Sequence, residues 1–137
     1  MEYKYIGSFI DFQVLHGAVA SLPQTRLARV IAHPHVTFAY RPESVDTTLF
    51  GEPVLLKAIG YGNDGVNEGL LVEVQTENAA LRKMAAGIAV PHITLSLGAE
   101  GKAVDTAKLK FSPITPFELR GVFGGYRFDD SVDTQVK

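Results

Sequence analysis

Cysteine is absent from the 137 residues, and histidine occurs only four times. Without thiols there is no disulfide framework, no thiolate zinc site and no cysteine nucleophile, and nothing argues for an oxidising compartment. Excess charge is lacking too. Thirteen Lys and Arg stand against 15 Asp and Glu, a formal charge of −2, so no global positive field exists to hold a long nucleic-acid duplex. No apolar run approaches the ~20 residues of a membrane span, and the opening MEYKYIGSF does not follow the basic-then-apolar order of a secretory signal. The expectation is a cytoplasmic monomer with no membrane partner. What is present is ordinary globular composition, 46% hydrophobic and 20% charged, which excludes wholesale disorder and coiled coils. A chain of this length suits one domain, residues 1–137, burying roughly two-thirds of its extended surface.

Along the chain, Tyr3 to Asp11 reads as a strand weakened by Gly7 and Ser8. Asp11 is placed to cap a short helix through about Ser21, with Val14, Leu15, Ala18 and Val19 on one face and Pro23 closing it. Leu27 to Ala32 is too short for periodicity to decide between strand and helix. PHVTFAY, Pro34 to Tyr40, alternates, with His35, Thr37 and Ala39 on one side. Val54 to Tyr61 and Gly69 to Val74, joined by GNDGVNE, read as a β-hairpin. Thr76 is a plausible N-cap for a helix with Leu81, Met84, Ala85 and Ile88 in one stripe and Gly87 at its end. PHITLSL, Pro91 to Leu97, alternates again, with His92, Thr94 and Ser96 together. Ala103 to Lys110 is ambiguous, and Pro116 to Phe128 reads as one or two strands broken at Gly124-Gly125. The polar tail from Asp129 is expected to fray. Interleaved strands and helices with no linker between them make an α+β domain.

PHVTFAY and PHITLSL share the pattern Pro-His-β-branched-Thr-apolar, and a duplicated half-domain is the simplest account. On a strand, residues two apart project the same way, so each His addresses the same space as its Thr. Two such strands brought together aim two imidazoles and two hydroxyls into one cleft. Phosphodiester cleavage uses this set: a base, an acid, and donors for the charge that develops on the phosphoryl oxygens. Histidine titrates near pH 6.5, so a pair can hold one neutral and one protonated ring near neutrality. The chemistry demands no metal or other cofactor.

His35-Val36-Thr37-Phe38 and His92-Ile93-Thr94-Leu95 resemble the two His-x-Thr-x motifs of the 2H phosphoesterase superfamily. The resemblance implies a single bilobal α+β domain, with two pseudo-twofold-related β-sheet lobes, flanking helices and a central cleft. It implies hydrolysis of 2′,3′-cyclic phosphates or related nucleotide and RNA phosphodiester linkages, with His35 and His92 as the acid and base pair and Thr37 and Thr94 as phosphate ligands. A nucleotide, a cyclic nucleotide or a short RNA end is then the partner. The short span between the first strand and the first motif points toward compact lineages, among them the cyclic phosphodiesterase domain of fungal tRNA ligases and phage enzymes that degrade cyclic oligonucleotide signals. A nucleotide-binding module without turnover is the alternative from another class.

Other residues carry weaker signals. Tyr5 and Tyr126 are the preferred candidates for stacking on a base, and Arg41, just past the first motif, for reaching a phosphate. Lys57 either faces the cleft or snorkels to solvent. His33-Pro34-His35 with His92 is a possible metal set, but it leaves both threonines unexplained. His16, on the first helix, reads as structural.

Overall fold

A computed structural model describes residues 2–22 and 26–135. It is an α+β arrangement dominated by one eight-stranded antiparallel sheet: β1 (Tyr3–Ile10), β2 (Arg29–Val30), β3 (His35–Tyr40), β4 (Pro53–Asn63), β5 (Asn67–Gln75), β6 (His92–Leu97), β7 (Ser112–Arg127) and β8 (Val132–Asp133). Helix α1 (Phe12–Val19) follows β1, and α2 (Ala79–Ala86) separates β5 from β6. The strand order is β2-β6-β5-β4-β7-β1-β3, with β8 on β7. About the β4/β7 seam this order is symmetric: β7-β1-β3 on one side mirrors β4-β5-β6 on the other. The sheet curls until β3, at one end, lies against β6 near the other.

Alternation of apolar side chains builds the core on one face of the sheet. Val36, Val54, Leu56, Leu70, Ile93, Leu95, Leu119 and Phe123 are buried there with Leu15 and Val19 of α1 and Leu81 of α2. Each such side chain contributes roughly 1.5–3 kcal/mol by leaving water. The residues between them, including His35, Thr37 and His92, project from the other face.

Local signals set the helices. Asp11 caps α1 by accepting from the Val14 amide at 2.9 Å. The helix ends at Val19, and Pro23, expected to close it, lies outside the described residues. Val14 departs from the expected apolar face; it is 58% exposed. The N-cap of α2 is Asn78, whose side chain accepts from Leu81 N at 3.0 Å, rather than Thr76. Thr76 stands one step back and accepts from the Asn78 amide. Gly87 is the C-cap, as expected. Leu27 to Ala32 contributes the two-residue edge strand β2, and Ala103 to Lys108 is a 3₁₀ helix.

Two expectations for the C-terminal region are overturned. Gly124-Gly125 does not break the strand; β7 runs through it unbroken. A Cβ at Gly124 would collide with the Asp133 carbonyl oxygen and one at Gly125 with the Tyr3 ring, so the pair admits close neighbours instead of making a turn. Nor does the chain fray at Asp129. It turns through Asp130, at φ 68°, and returns as β8, whose buried Asp133 accepts from Tyr3 Oη at 3.0 Å and pairs with Arg127. No helix among the described residues is long and apolar enough to cross a membrane.

Candidate active site: two equivalent strands with different surroundings

The two motif strands are built alike in detail. On β3, Thr37 pairs with Gly7 of β1 and Ala39 with Ile6, so Phe38 is an extra, bulged residue. On β6, Thr94 pairs with Gly69 of β5 and Ser96 with Glu68, so Leu95 is the extra residue. The bulge falls at the fourth motif position in both halves. Each threonine faces a glycine, and in each case a Cβ would run into the carbonyl oxygen of the preceding motif residue: Val36 O at Gly7, and Ile93 O, at 2.7 Å, at Gly69. One strand outward the pattern persists, with Gly7 opposite Gly124 and Gly69 opposite Gly62. The bulges correct the simple alternation. Ala39 packs toward the core, and Ser96 turns its hydroxyl to Glu68 at 2.6 Å instead of sharing the space of His92 and Thr94.

The imidazoles share one anchor, and at His35 the Tyr5 hydroxyl also lies 3.4 Å from Nδ1. His35 Nδ1 lies 2.8 Å from the His33 carbonyl oxygen, and His92 Nδ1 lies 2.7 Å from that of Val90. A carbonyl only accepts, so each Nδ1 carries the proton and donates it, leaving each Nε2 as the nitrogen available for proton transfer. Both rings are part-buried. Burial lowers the His35 pKa to about 4, and the neighbouring charge of His92 acts in the same direction, against the opposing effect of the hydrogen bond to His33. β3 and β6 thus bring the two rings within electrostatic reach of one another.

What surrounds the rings differs. His35 stands against an aromatic stack: Tyr5 lies over it at 4.4 Å between centroids, Tyr126 lies over Tyr5 at 4.8 Å, and Phe9 tilts against His35 at 5.5 Å. Burial raises the Tyr5 phenol above its ordinary value, and Tyr126 Oη donates to Asp130 at 2.8 Å. Tyr5 and Tyr126 therefore gather at His35, stacked on each other and on the imidazole. Thr37 is part-buried, and no described residue hydrogen-bonds its hydroxyl. On the other side, Thr94, 7% exposed, shares a 2.8 Å hydrogen bond with Thr106 of the 3₁₀ helix.

Arg41 is not brought to the histidines. A six-residue strand separates it from His35, about 20 Å at the strand repeat, and its guanidinium packs 5.6 Å from the rings of both Tyr40 and Phe128. Lys57 sits mid-sheet between Glu73 and Glu118 in register, away from the motif strands. His33 is exposed and contributes its carbonyl to His35, and among the described residues no three His, Asp or Glu side chains are grouped to hold a metal ion. His16 packs on Phe12 at 4.3 Å, a structural place.

Sequence reasoning did not single out Glu68, Asn67 or Thr106. Glu68 is fully buried and binds Arg26 at 2.9 Å, Ser96 and Tyr61. It stands where the other half has the apolar Ile6, and Asn67 where it has Tyr5. Aligning the glycines opposite the two motif threonines, 62 residues apart, is the signal that would have found these pairs.

In comparisons with known proteins, the chain matches no family model and no curated protein at a significant level.

Proposed function

We propose that this chain is a metal-independent phosphodiesterase of the 2H type, acting on 2′,3′-cyclic phosphates or related nucleotide linkages, with β7-β1-β3 and β4-β5-β6 as its two lobes. One observation carries the reading. Two histidines from distant parts of the chain are each fixed by Nδ1 to the carbonyl two residues back, on strands that touch. Acid–base catalysis requires a fixed tautomer and a free Nε2, and this geometry supplies both at each ring.

The different surroundings divide the roles. His35, held neutral by burial and its aromatic cover, is the base: its Nε2 takes a proton from water as the water oxygen bonds to phosphorus. The P–O bond to one ribose oxygen then breaks, and His92, acting as the acid through Nε2, protonates that oxygen. The product is a nucleoside 2′- or 3′-monophosphate. Thr37 and Thr94 donate to the non-bridging oxygens, where negative charge grows in the transition state. Tyr126, the outer ring of the stack, offers an aromatic surface to a base, and Tyr5 holds it against His35.

The test is to incubate the protein in EDTA with 2′,3′-cyclic mononucleotides, 2′-5′ and 3′-5′ dinucleotides and cyclic oligonucleotides, resolving products by chromatography. Hydrolysis of at least one class is expected. No product from any of them would overturn the reading, and loss in EDTA with rescue by zinc would replace it with a metal-dependent mechanism.

A further inference from the structure

Resting on that reading, we infer that Thr106 and Asn67 are positioning residues that aim the Thr94 hydroxyl at the phosphoryl group, so that the two motif threonines are not equivalent. Asn67 Nδ2 donates to the Lys102 carbonyl oxygen at 2.7 Å and to Thr106 Oγ1 at 3.0 Å, which uses both amide hydrogens. Thr106 is 0% exposed. Its oxygen accepts from Asn67, and the remaining neighbour able to take its own proton is Thr94 Oγ1 at 2.8 Å. Either hydroxyl of this pair can donate; leaving the buried Thr106 proton without an acceptor is costly, so the proton runs from Thr106 to Thr94. Thr94 then spends a lone pair on Thr106 and keeps its proton for an outside acceptor; the alternative, the Ala103 carbonyl oxygen, lies at a long 3.4 Å.

The result is a directed chain: amide to hydroxyl, hydroxyl to hydroxyl, hydroxyl to substrate. Each donor in such a chain polarises the next. Gly69 makes room for it, because a Cβ there would strike Thr106 Cγ2. Among the described residues, the other half has no counterpart. Tyr5 occupies the position of Asn67 and stacks on His35, and Thr37 has no such partner. The 3₁₀ helix Ala103–Lys108 packs on β5 and β6.

The experiment is a cycle of Thr94→Val, Thr106→Val and the double variant, with Thr106→Ser as the conservative rescue. Turnover of the best cyclic phosphate and calorimetric binding of adenosine 2′-monophosphate are both measured. Thr106→Val is expected to lower kcat about tenfold, the worth of one hydrogen bond, and Thr106→Ser to restore it. The double variant should be no slower than Thr94→Val, because Thr106 acts only through Thr94. A merely structural Thr106 would instead give multiplying losses, and that result, or wild-type kcat in Thr106→Val, overturns the inference alone. If wild type turns over no substrate, the phosphodiesterase reading fails, and the binding arm decides the inference: it survives if Thr106→Val weakens binding about tenfold and Thr106→Ser does not, and falls otherwise.

Discussion

The β7-β1-β3 half and the β4-β5-β6 half share a backbone and differ in what covers it. Both place a glycine opposite the motif threonine, a bulge at the fourth motif residue, and a histidine tied by Nδ1 to the carbonyl two residues before it. Around that common frame, one half puts an aromatic stack over its histidine, and the other puts an amide and a second hydroxyl behind its threonine. Beneath the frame, one half buries Ile6 and the other buries Glu68 with Arg26, Ser96 and Tyr61. The shared backbone thus fixes where the histidines and threonines stand. The unlike neighbours decide what each can do.

The largest expected effect is catalytic. Thr37→Val and Thr94→Val each remove one donor from the phosphoryl oxygens and should slow turnover by about 10²-fold with little change in the thermal midpoint. Equal rates in wild type and either variant, measured on the same cyclic phosphate, would show that the matching backbone positions do not carry matching chemistry.

Stability should break the symmetry next. Glu68→Ala leaves the Arg26 guanidinium, Ser96 and Tyr61 without their shared acceptor. It is expected to cost about 3 kcal/mol, toward the low end for a broken buried pair because Arg26 keeps some contact with solvent. Glu68→Leu, matching the apolar Ile6, should recover part of that loss, since a well-packed apolar group avoids charge desolvation but still deprives Arg26 of this carboxylate. Urea midpoints measure both, and a Glu68→Ala variant as stable as wild type would show the network to be idle.

A smaller and directional effect concerns pH. With the His35 pKa held down to about 4 by burial against an ordinary 6.5, the unfolded chain binds more protons between those values, and stability rises with pH across that window. This contribution is complete above pH 6.5 and is lost as pH falls toward 4. His35→Gln should flatten the dependence in urea titrations. Tyr5→Leu, which uncovers the ring, should move the acidic limb of the rate profile upward toward 6.5, whereas Asn67→Ala should slow the reaction without moving that limb. Identical limbs in wild type and Tyr5→Leu would detach the aromatic stack from the ionisation of His35.

Much of this frame was legible in the chain. The repeated Pro-His-x-Thr pattern locates both motif strands, the GNDGVNE segment locates the β4-β5 hairpin, and Asp11 and Gly87 mark helix ends, because each depends on local backbone preferences. The unreadable part depends on contacts remote in sequence. Ser96 alternates with Thr94 on paper, but a bulge sends it to Glu68. Gly124-Gly125 looks like a break until Tyr3 and Asp133 are seen filling the space. Arg41 follows the first motif directly, but a strand's length carries it away to Tyr40 and Phe128. Thr106 gives no local sign of its place, since only the folding of the 3₁₀ helix onto β5 and β6 sets it beside Thr94.

Joint action of His35 and His92 on one phosphorus atom, as proposed, is decided by hydrolysis of a cyclic phosphate by His35→Ala, His92→Ala and the double variant. Each single variant should lose at least about 10² in turnover while keeping the wild-type melting profile, and the double variant should lose little more, as groups acting as one unit do. Wild-type turnover by either single variant would contradict it.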